Sequence, residues 1–338
     1  MEDMTIRELQ LSFLPERQML EEFLLRHHLR LETDVECAYG IFDGDDALCG
    51  CGCAAGRLLK CFAIDESLRG MNGLGALIPR LCADRFNAGH DDLFIMTRTH
   101  NRSLFDHCGF YPVAETEQVL LLQNRRGGME RFLRRVPRAP EGCADIGAIV
   151  MNCNPITRGH LALIRHAAAS CAFLYLFVVE ENRSAFPFKD RLRLVKQATE
   201  GMENVKVCPS RPFMISSMTF PTYFLKETEN PNLIQSELDI TIFASQIAPA
   251  LGIRKRFAGQ EPLDPVTRTY NETMARLLPT YGVEFCEIPR AELDGAPISA
   301  SRVRALLKEH GGVTDAVLEL VPECTGAYLL ERFGRGEA

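Results

Sequence analysis

The chain has 338 residues, which at roughly 150 residues per domain predicts about two modules. Its 46% hydrophobic and 25% charged residues are those of an ordinary folded protein and exclude wholesale disorder, collagen and coiled coil. The 38 lysines and arginines against 45 aspartates and glutamates leave a charge of −7, which excludes a general attraction to nucleic acid or anionic membrane. Any phosphate site must be local.

No apolar run approaches the roughly 18 to 20 residues that cross a bilayer, and the start MEDMTIRELQ is charged, so no membrane segment and a cytoplasmic location are expected. The 13 cysteines are an odd number scattered without a leader, which suits reduced thiols.

From residue 1 to about 124, an apolar-periodic stretch through Leu20, Phe23, Leu24 and Leu25 is followed by short runs such as CAYGIF, FIMTRT and QVLLLQ. This reads as an α+β domain. Within it Cys49, Cys51 and Cys53 alternate, but no CxxC or His pair follows, so buried thiols are expected and no protein-bound metal. His27, His28 and His90 are isolated.

Residues 125–142, with Arg125, Arg126, Arg131, Arg134, Arg135 and Arg138 beside glycines and prolines, read as a basic linker containing one short helix. Residues 143–338 alternate apolar runs with amphipathic stretches. The runs are IGAIVM, FLYLFVV, VKVC, LDITIF, IRKRFA and VEFCEI, and their lack of polar alternation predicts a parallel sheet buried on both faces. The second domain is therefore read as doubly wound α/β. Ligands of such sheets sit beyond the carboxyl ends of the strands, so the strand-to-helix turns must carry the chemistry.

The first such turn runs Asn152-Cys153-Asn154-Pro155-Ile156-Thr157-Arg158-Gly159-His160 between IGAIVM and the helix LALIRHAA. A helix N-terminus offers unpaired N–H groups and a positive dipole end, Gly159 would let a phosphate approach the backbone, and Thr157 and His160 add side-chain donors. An ordinary βα turn with a satisfied histidine has the same spacing. Near the C-terminus, Ile298-Ser299-Ala300-Ser301-Arg302-Val303-Arg304 places an N-cap at Ser299 and aims Ser301 and Arg304 at the same kind of helix start.

These two segments resemble the (H/T)xGH and ISS[ST]xV[RK] signatures of the nucleotidyltransferase superfamily, the second departing only at Ala300. Phe186 and Arg191 match that superfamily's F-x-x-x-x-R pattern, with Lys189 beside them. With RPFMISSMTFPTYFLKE and FAGQEPLDPVTRTYNE, nearly the whole chain is similar to the citrate lyase ligase family. That resemblance implies cofactor and substrate contacts from Asn154, Gly159, Lys189, Arg191, Gly259, Glu261, Ser299, Ser301 and Arg304, with Ser216, Ser217, Thr219 and Arg268 as further loop candidates. His160 and Thr157 would be catalytic.

It further implies ATP with magnesium, acetate as the second substrate, and the prosthetic-group thiol of the citrate lyase acyl carrier subunit as acceptor. The reaction would pass through acetyl-adenylate and release pyrophosphate and AMP. A plain adenylyltransferase acting on a phosphorylated acceptor such as a pantetheine phosphate fits the same motifs, and acetate dependence separates the two.

The N-terminal domain resembles the GNAT acetyltransferase superfamily in Arg69-Gly70-Met71-Asn72-Gly73-Leu74-Gly75 and in the Asn101 to Phe110 element. The first carries one residue more than R-G-x-G-[IL]-G, which displaces a backbone N–H from a pyrophosphate loop; Glu66 is the positional candidate for a general base. A scaffold or carrier-docking role is expected.

Overall fold

A computed structural model describes residues 4–68, 72–181, 184–216, 219–261, 264–293 and 295–337, with Ser67 described by its backbone alone. The chain divides into two units, one of Met1–Met129 with Phe220–Ile234, the other of Glu130–Thr219 with Gln235–Ala338.

In the first unit the elements are β1 (Thr5–Glu8), α1 (Leu14–Arg26), β2 (Cys37–Phe42), β3 (Leu48–Ala55), β4 (Leu58–Ile64), α2 (Gly73–Asn87), β5 (Phe94–Arg98), β6 (Tyr111–Glu115) and β7 (Val119–Gln123). The strands form one sheet in the order β1-β2-β3-β4-β5-β7-β6, with a parallel step from β4 to β5 in an otherwise antiparallel ladder. This is the GNAT-like arrangement predicted for this half of the chain. Cys49, Cys51 and Cys53 are buried on β3, and desolvation pushes the Cys51 thiol well above its usual pKa. They are packing residues.

Of the GNAT-type loop, Arg69, Gly70 and Met71 lie outside the described residues. Asn72 is left-handed and its own Oδ1 accepts the Gly75 N–H at 3.2 Å, so that helix-start donor is already taken. Glu66 is exposed in a single helical turn.

Residues 220–234, expected in the C-terminal domain, pack into the first unit instead. The reason is a buried anchor. The Tyr223 hydroxyl donates to the Met96 carbonyl at 3.0 Å, the Tyr223 carbonyl accepts the Arg30 N–H at 3.2 Å, and the Thr222 N–H donates to Glu32 at 2.6 Å. Glu32 in turn pairs at 2.7 Å with Lys60, whose side chain is 1% exposed.

Between the units' main segments lies α3 (Gly128–Arg135). The expected helix is there, but 125–142 is not a solvated linker. Phe132, Leu133 and Val136 are buried, Phe132 stacks 5.4 Å from Phe213, and the Pro137 carbonyl accepts the Tyr175 hydroxyl at 2.9 Å. Arg125, Arg134, Arg135 and Arg138 are exposed on its wet face.

The second unit continues with β8 (Ile146–Met151), α4 (Arg158–Ala169), β9 (Phe173–Val178), α5 (Phe188–Ala198), β10 (Val205–Pro209), α6 (Pro231–Ile242, begun in the first unit), α7 (Ala248–Leu251), β11 (Lys255–Gly259), α8 (Pro265–Leu277), β12 (Glu284–Ile288), β13 (Glu292–Leu293), β14 (Ala296–Pro297), α9 (Ala300–Glu309), α10 (Asp315–Leu320) and α11 (Glu323–Phe333). Its main sheet is wholly parallel in the order β10-β9-β8-β11-β12, the doubly wound fold predicted from the apolar runs. One run differs from the expected strand: LDITIF lies in α6 and a following π turn (Phe243–Ile247). Leu238, Ile240, Ile242 and Phe243 are all buried, and so is the polar Asp239, so the segment has no exposed face to mark a helical period. The cue was Asn230-Pro231, where the Asn230 Oδ1 caps the helix by accepting the Asn232 N–H at 3.0 Å.

Successive strands leave β8 first toward β9 and later toward β11, so the switch point lies at the carboxyl ends of β8 and β11. Among the described residues no helix is long and apolar enough to cross a membrane.

The assignment of 220–234 to the first unit has a measurable consequence. Tyr223→Ala removes a buried aromatic ring and its hydrogen bond and is expected to destabilise the protein by about 3 to 5 kcal/mol in denaturant unfolding. An unchanged midpoint would contradict this placement.

Candidate active site

The turn after β8 is ordered from within. Thr157, fully buried, is the N-cap of α4 and accepts the His160 N–H, while the Thr157 N–H donates back to His160 Nδ1 at 3.0 Å. This reciprocal capping box has a histidine where glutamate or glutamine is usual. It also fixes the tautomer. Because Nδ1 accepts a backbone N–H, the neutral ring carries its proton on Nε2 and keeps one donor for a ligand. Desolvation, with the nearby charge of Arg290, lowers the His160 pKa from 6.5 to about 4. The ring is therefore a neutral donor near pH 7. Leu161, Ile164 and Ala167 bury the opposite face of α4 against the sheet.

The missing side chain of Gly159 serves the packing of two corners. A β-carbon built on it would lie 2.5 Å from the Ile298 carbonyl oxygen, so its missing side chain lets the start of α4 meet the residue just before α9. The same two corners are tied again where Arg304 Nη1 donates to the Asn154 carbonyl at 2.6 Å. Ser299 caps α9 by accepting the Arg302 N–H at 3.1 Å, and its hydroxyl lies 3.0 Å from that of the exposed Ser301. Burial depresses the Arg304 pKa, and among the described residues this guanidinium has no carboxylate partner. A desolvated arginine whose neighbour is a neutral carbonyl favours an incoming anion.

The other expected contacts divide. Asn154 Oδ1 accepts the Phe186 N–H at 3.1 Å, so its side chain braces the loop. Arg191, fully buried, donates to the carbonyls of Phe186 at 3.1 Å, Asn152 at 2.6 Å and Glu181 at 2.6 Å. Its Nη2 also lies 3.6 Å from the Glu181 carboxylate, so the guanidinium braces the turn from beneath. Lys189 is exposed at the start of α5. At the end of β11, the Gly259 carbonyl accepts the Asn271 amide at 2.9 Å. Glu261, 5% exposed at its side chain, pairs with Arg290 and accepts the Asp264 N–H at 3.1 Å. Its carboxylate supports a cation. Ser216 and Thr219 close an exposed turn on each other at 3.2 Å, Arg268 is exposed on α8, and Ser217 lies outside the described residues.

Arg290, two residues past β12, is the group that sequence reasoning missed. The available signal was a cation directly after the run VEFCEI, at the same end of the sheet as the other turns. Among the described residues, no group of three or more His, Cys, Asp or Glu side chains is placed to hold a metal ion.

A parallel α/β unit with an HxGH-type turn at its switch point and a second capped helix packed against it is a nucleotidyltransferase-fold site. The family profile described as "Citrate lyase ligase C-terminal domain" matches residues 146–329. The chain is 40% identical to a [citrate [pro-3S]-lyase] ligase from Klebsiella pneumoniae over 94% of this chain and 93% of that protein. It is 38% identical to the Escherichia coli K12 protein of the same name over 92% of this chain and 89% of that one. The Haemophilus influenzae protein of that name is 34% identical over 94% and 96%. The chain belongs to the citrate lyase ligase family.

The tautomer and the lowered pKa make a prediction. A ring that binds its proton less tightly in the folded than in the unfolded state adds stability above about pH 6.5, and this is lost as the pH falls toward 4. An NMR titration of the ligand-free protein is expected to place the His160 midpoint near 4, and a midpoint at the ordinary 6.5 would contradict the desolvated ring.

Proposed function

We propose that this protein acetylates the prosthetic-group thiol of a citrate lyase acyl carrier subunit, using ATP and acetate. The observation that carries the reading is the junction of two helix starts at Gly159 and Ile298, which gathers the His160 donor, Ser301 and Arg304 in one place. Its family membership at 34 to 40% identity supplies the acceptor class.

In this reading the triphosphate lies over the starts of α4 and α9, where unpaired N–H groups and the helix dipoles favour negative charge. Magnesium enters as part of the substrate, the phosphates supplying most of its ligands. An acetate oxygen attacks the α-phosphorus in line, the bond to the bridging oxygen breaks, and pyrophosphate leaves with that electron pair. The carboxylate is already a nucleophile, so no side chain has to be activated for attack.

His160 Nε2–H and Arg304 meet the charge that gathers on the phosphoryl oxygens, and their value lies in being held in place beforehand by Thr157 and Asn154. The carrier's thiolate then attacks the acetyl carbonyl of the mixed anhydride. The thioester forms, AMP leaves, and the thiol proton passes to solvent. The site is catalytic through position and charge.

Losing one such donor costs about a hundredfold or more. His160→Ala is therefore expected to cut acetate-dependent pyrophosphate release by at least that factor, with acetate-independent release absent from the parent. Pyrophosphate release within a few-fold of the parent in the variant would overturn the assignment, and a stable dinucleotide product formed without acetate would point to adenylyl transfer instead.

A further inference from the structure

Arg290 has no place in the motifs that define this site, yet four observations put it there. It follows β12, which pairs in parallel with β11, and the Gln260 N–H donates to the Ile288 carbonyl at 2.8 Å, so the ends of the two strands are fastened together. The next residue, Ala291, accepts the Ile298 N–H at 3.0 Å, and the carbonyl of that same Ile298 sits against Gly159. One backbone link therefore joins the Arg290 segment to the start of α4.

The Arg290–Glu261 pair is lopsided, with the Glu261 side chain 5% exposed and the Arg290 side chain 28% exposed. The acid is sealed in and fixed by the Asp264 N–H, while the base keeps an open side. Finally, the charge of Arg290 is felt at His160. A pair built only for stability has no reason to leave its cation partly exposed where its charge acts on a neutral histidine donor, since isolated partly exposed pairs contribute little.

We propose that Arg290, positioned by Glu261, binds phosphoryl oxygens of the nucleotide next to His160. This rests on the nucleotide site proposed above. Glu261 is then a positioning residue: it directs one edge of the guanidinium inward and leaves the remaining N–H groups for the anion. Arginine suits the task because its planar fork can hold two oxygens while one nitrogen stays on its own carboxylate.

The test measures equilibrium binding of magnesium-ATP to the full chain by calorimetry, together with thermal stability and the KM for acetate. The proteins are the parent, Arg290→Ala, Arg290→Lys, Glu261→Gln and the double variant Arg290→Ala with Glu261→Gln. Arg290→Ala is expected to weaken ATP binding by about tenfold or more, the range of a lost charge-assisted hydrogen bond, with acetate KM little changed. Arg290→Lys should recover part of the affinity.

Arg290→Ala also leaves a buried carboxylate without its cation and should lower the melting temperature, which the double variant should restore. The double variant is nevertheless expected to bind ATP as poorly as Arg290→Ala does. An affinity within twofold of the parent in Arg290→Ala, or affinity recovering with stability in the double variant, would overturn the proposal in favour of a structural pair. An effect confined to acetate KM would overturn it in favour of a carboxylate contact. A parent chain that fails to bind ATP at all would instead overturn the nucleotide site, a separate and recognisable outcome.

Discussion

At Gly159 the absence of a β-carbon lets the carbonyl of Ile298 approach to a distance that any side chain would block. That contact joins a turn near the middle of the sequence to a helix start about 140 residues later, and the rest of the site depends on it. Without it the Thr157–His160 capping box would still form, since its hydrogen bonds are local. Ser299, Ser301 and Arg304 would then have no fixed relation to His160. The second tie, from Arg304 to the Asn154 carbonyl, makes the junction two-point and so sets an orientation as well as a distance.

Three arginines show how the fold sorts identical chemistry into different work. Arg191 is sealed and satisfied by three carbonyls, so it stiffens the turn. Arg304 is half-buried and bonded to one neutral oxygen, which leaves its charge uncompensated at the place where two helix dipoles point. Arg290 is compensated on one edge and open on the other. The degree to which each guanidinium is already paired, more than its position in a motif, decides what it can do for a phosphate. The same reasoning applies in the first unit, where Asn72 occupies the Gly75 N–H at the start of α2.

Much of this was legible in the sequence because the relevant forces are short-ranged. Thr157 and Ser299 announce helix starts by chemistry within four residues, and the β8 and β9 runs announce buried strands by composition alone. What was illegible depends on partners far along the chain. The F-x-x-x-x-R spacing gives no sign that Arg191 will find carbonyls of Asn152 and Glu181, and Glu261 reads as an acid in a loop until Arg290 is seen beside it. Gly159 reads in the sequence as room for a phosphate, and nothing near it in sequence points to the backbone carbonyl from another element that its missing side chain admits. Residues 220–234 lie between two segments of the second unit in sequence, and only the burial of Tyr223 under Arg30 and Met96 reveals where they belong. LDITIF is illegible for a different cause, because its helix buries even the polar Asp239 and so leaves little exposed face to mark a period.

The central claim is that one triphosphate is gripped by both helix starts at once. The most direct measurement is a crystal structure of the full chain with a non-hydrolysable ATP analogue and magnesium. Phosphoryl oxygens within hydrogen-bond distance of His160 Nε2 and, on the same nucleotide, of Ser301 or Arg304 are the expected result. A nucleotide that touches one helix start alone, or lies elsewhere on the chain, would contradict the account.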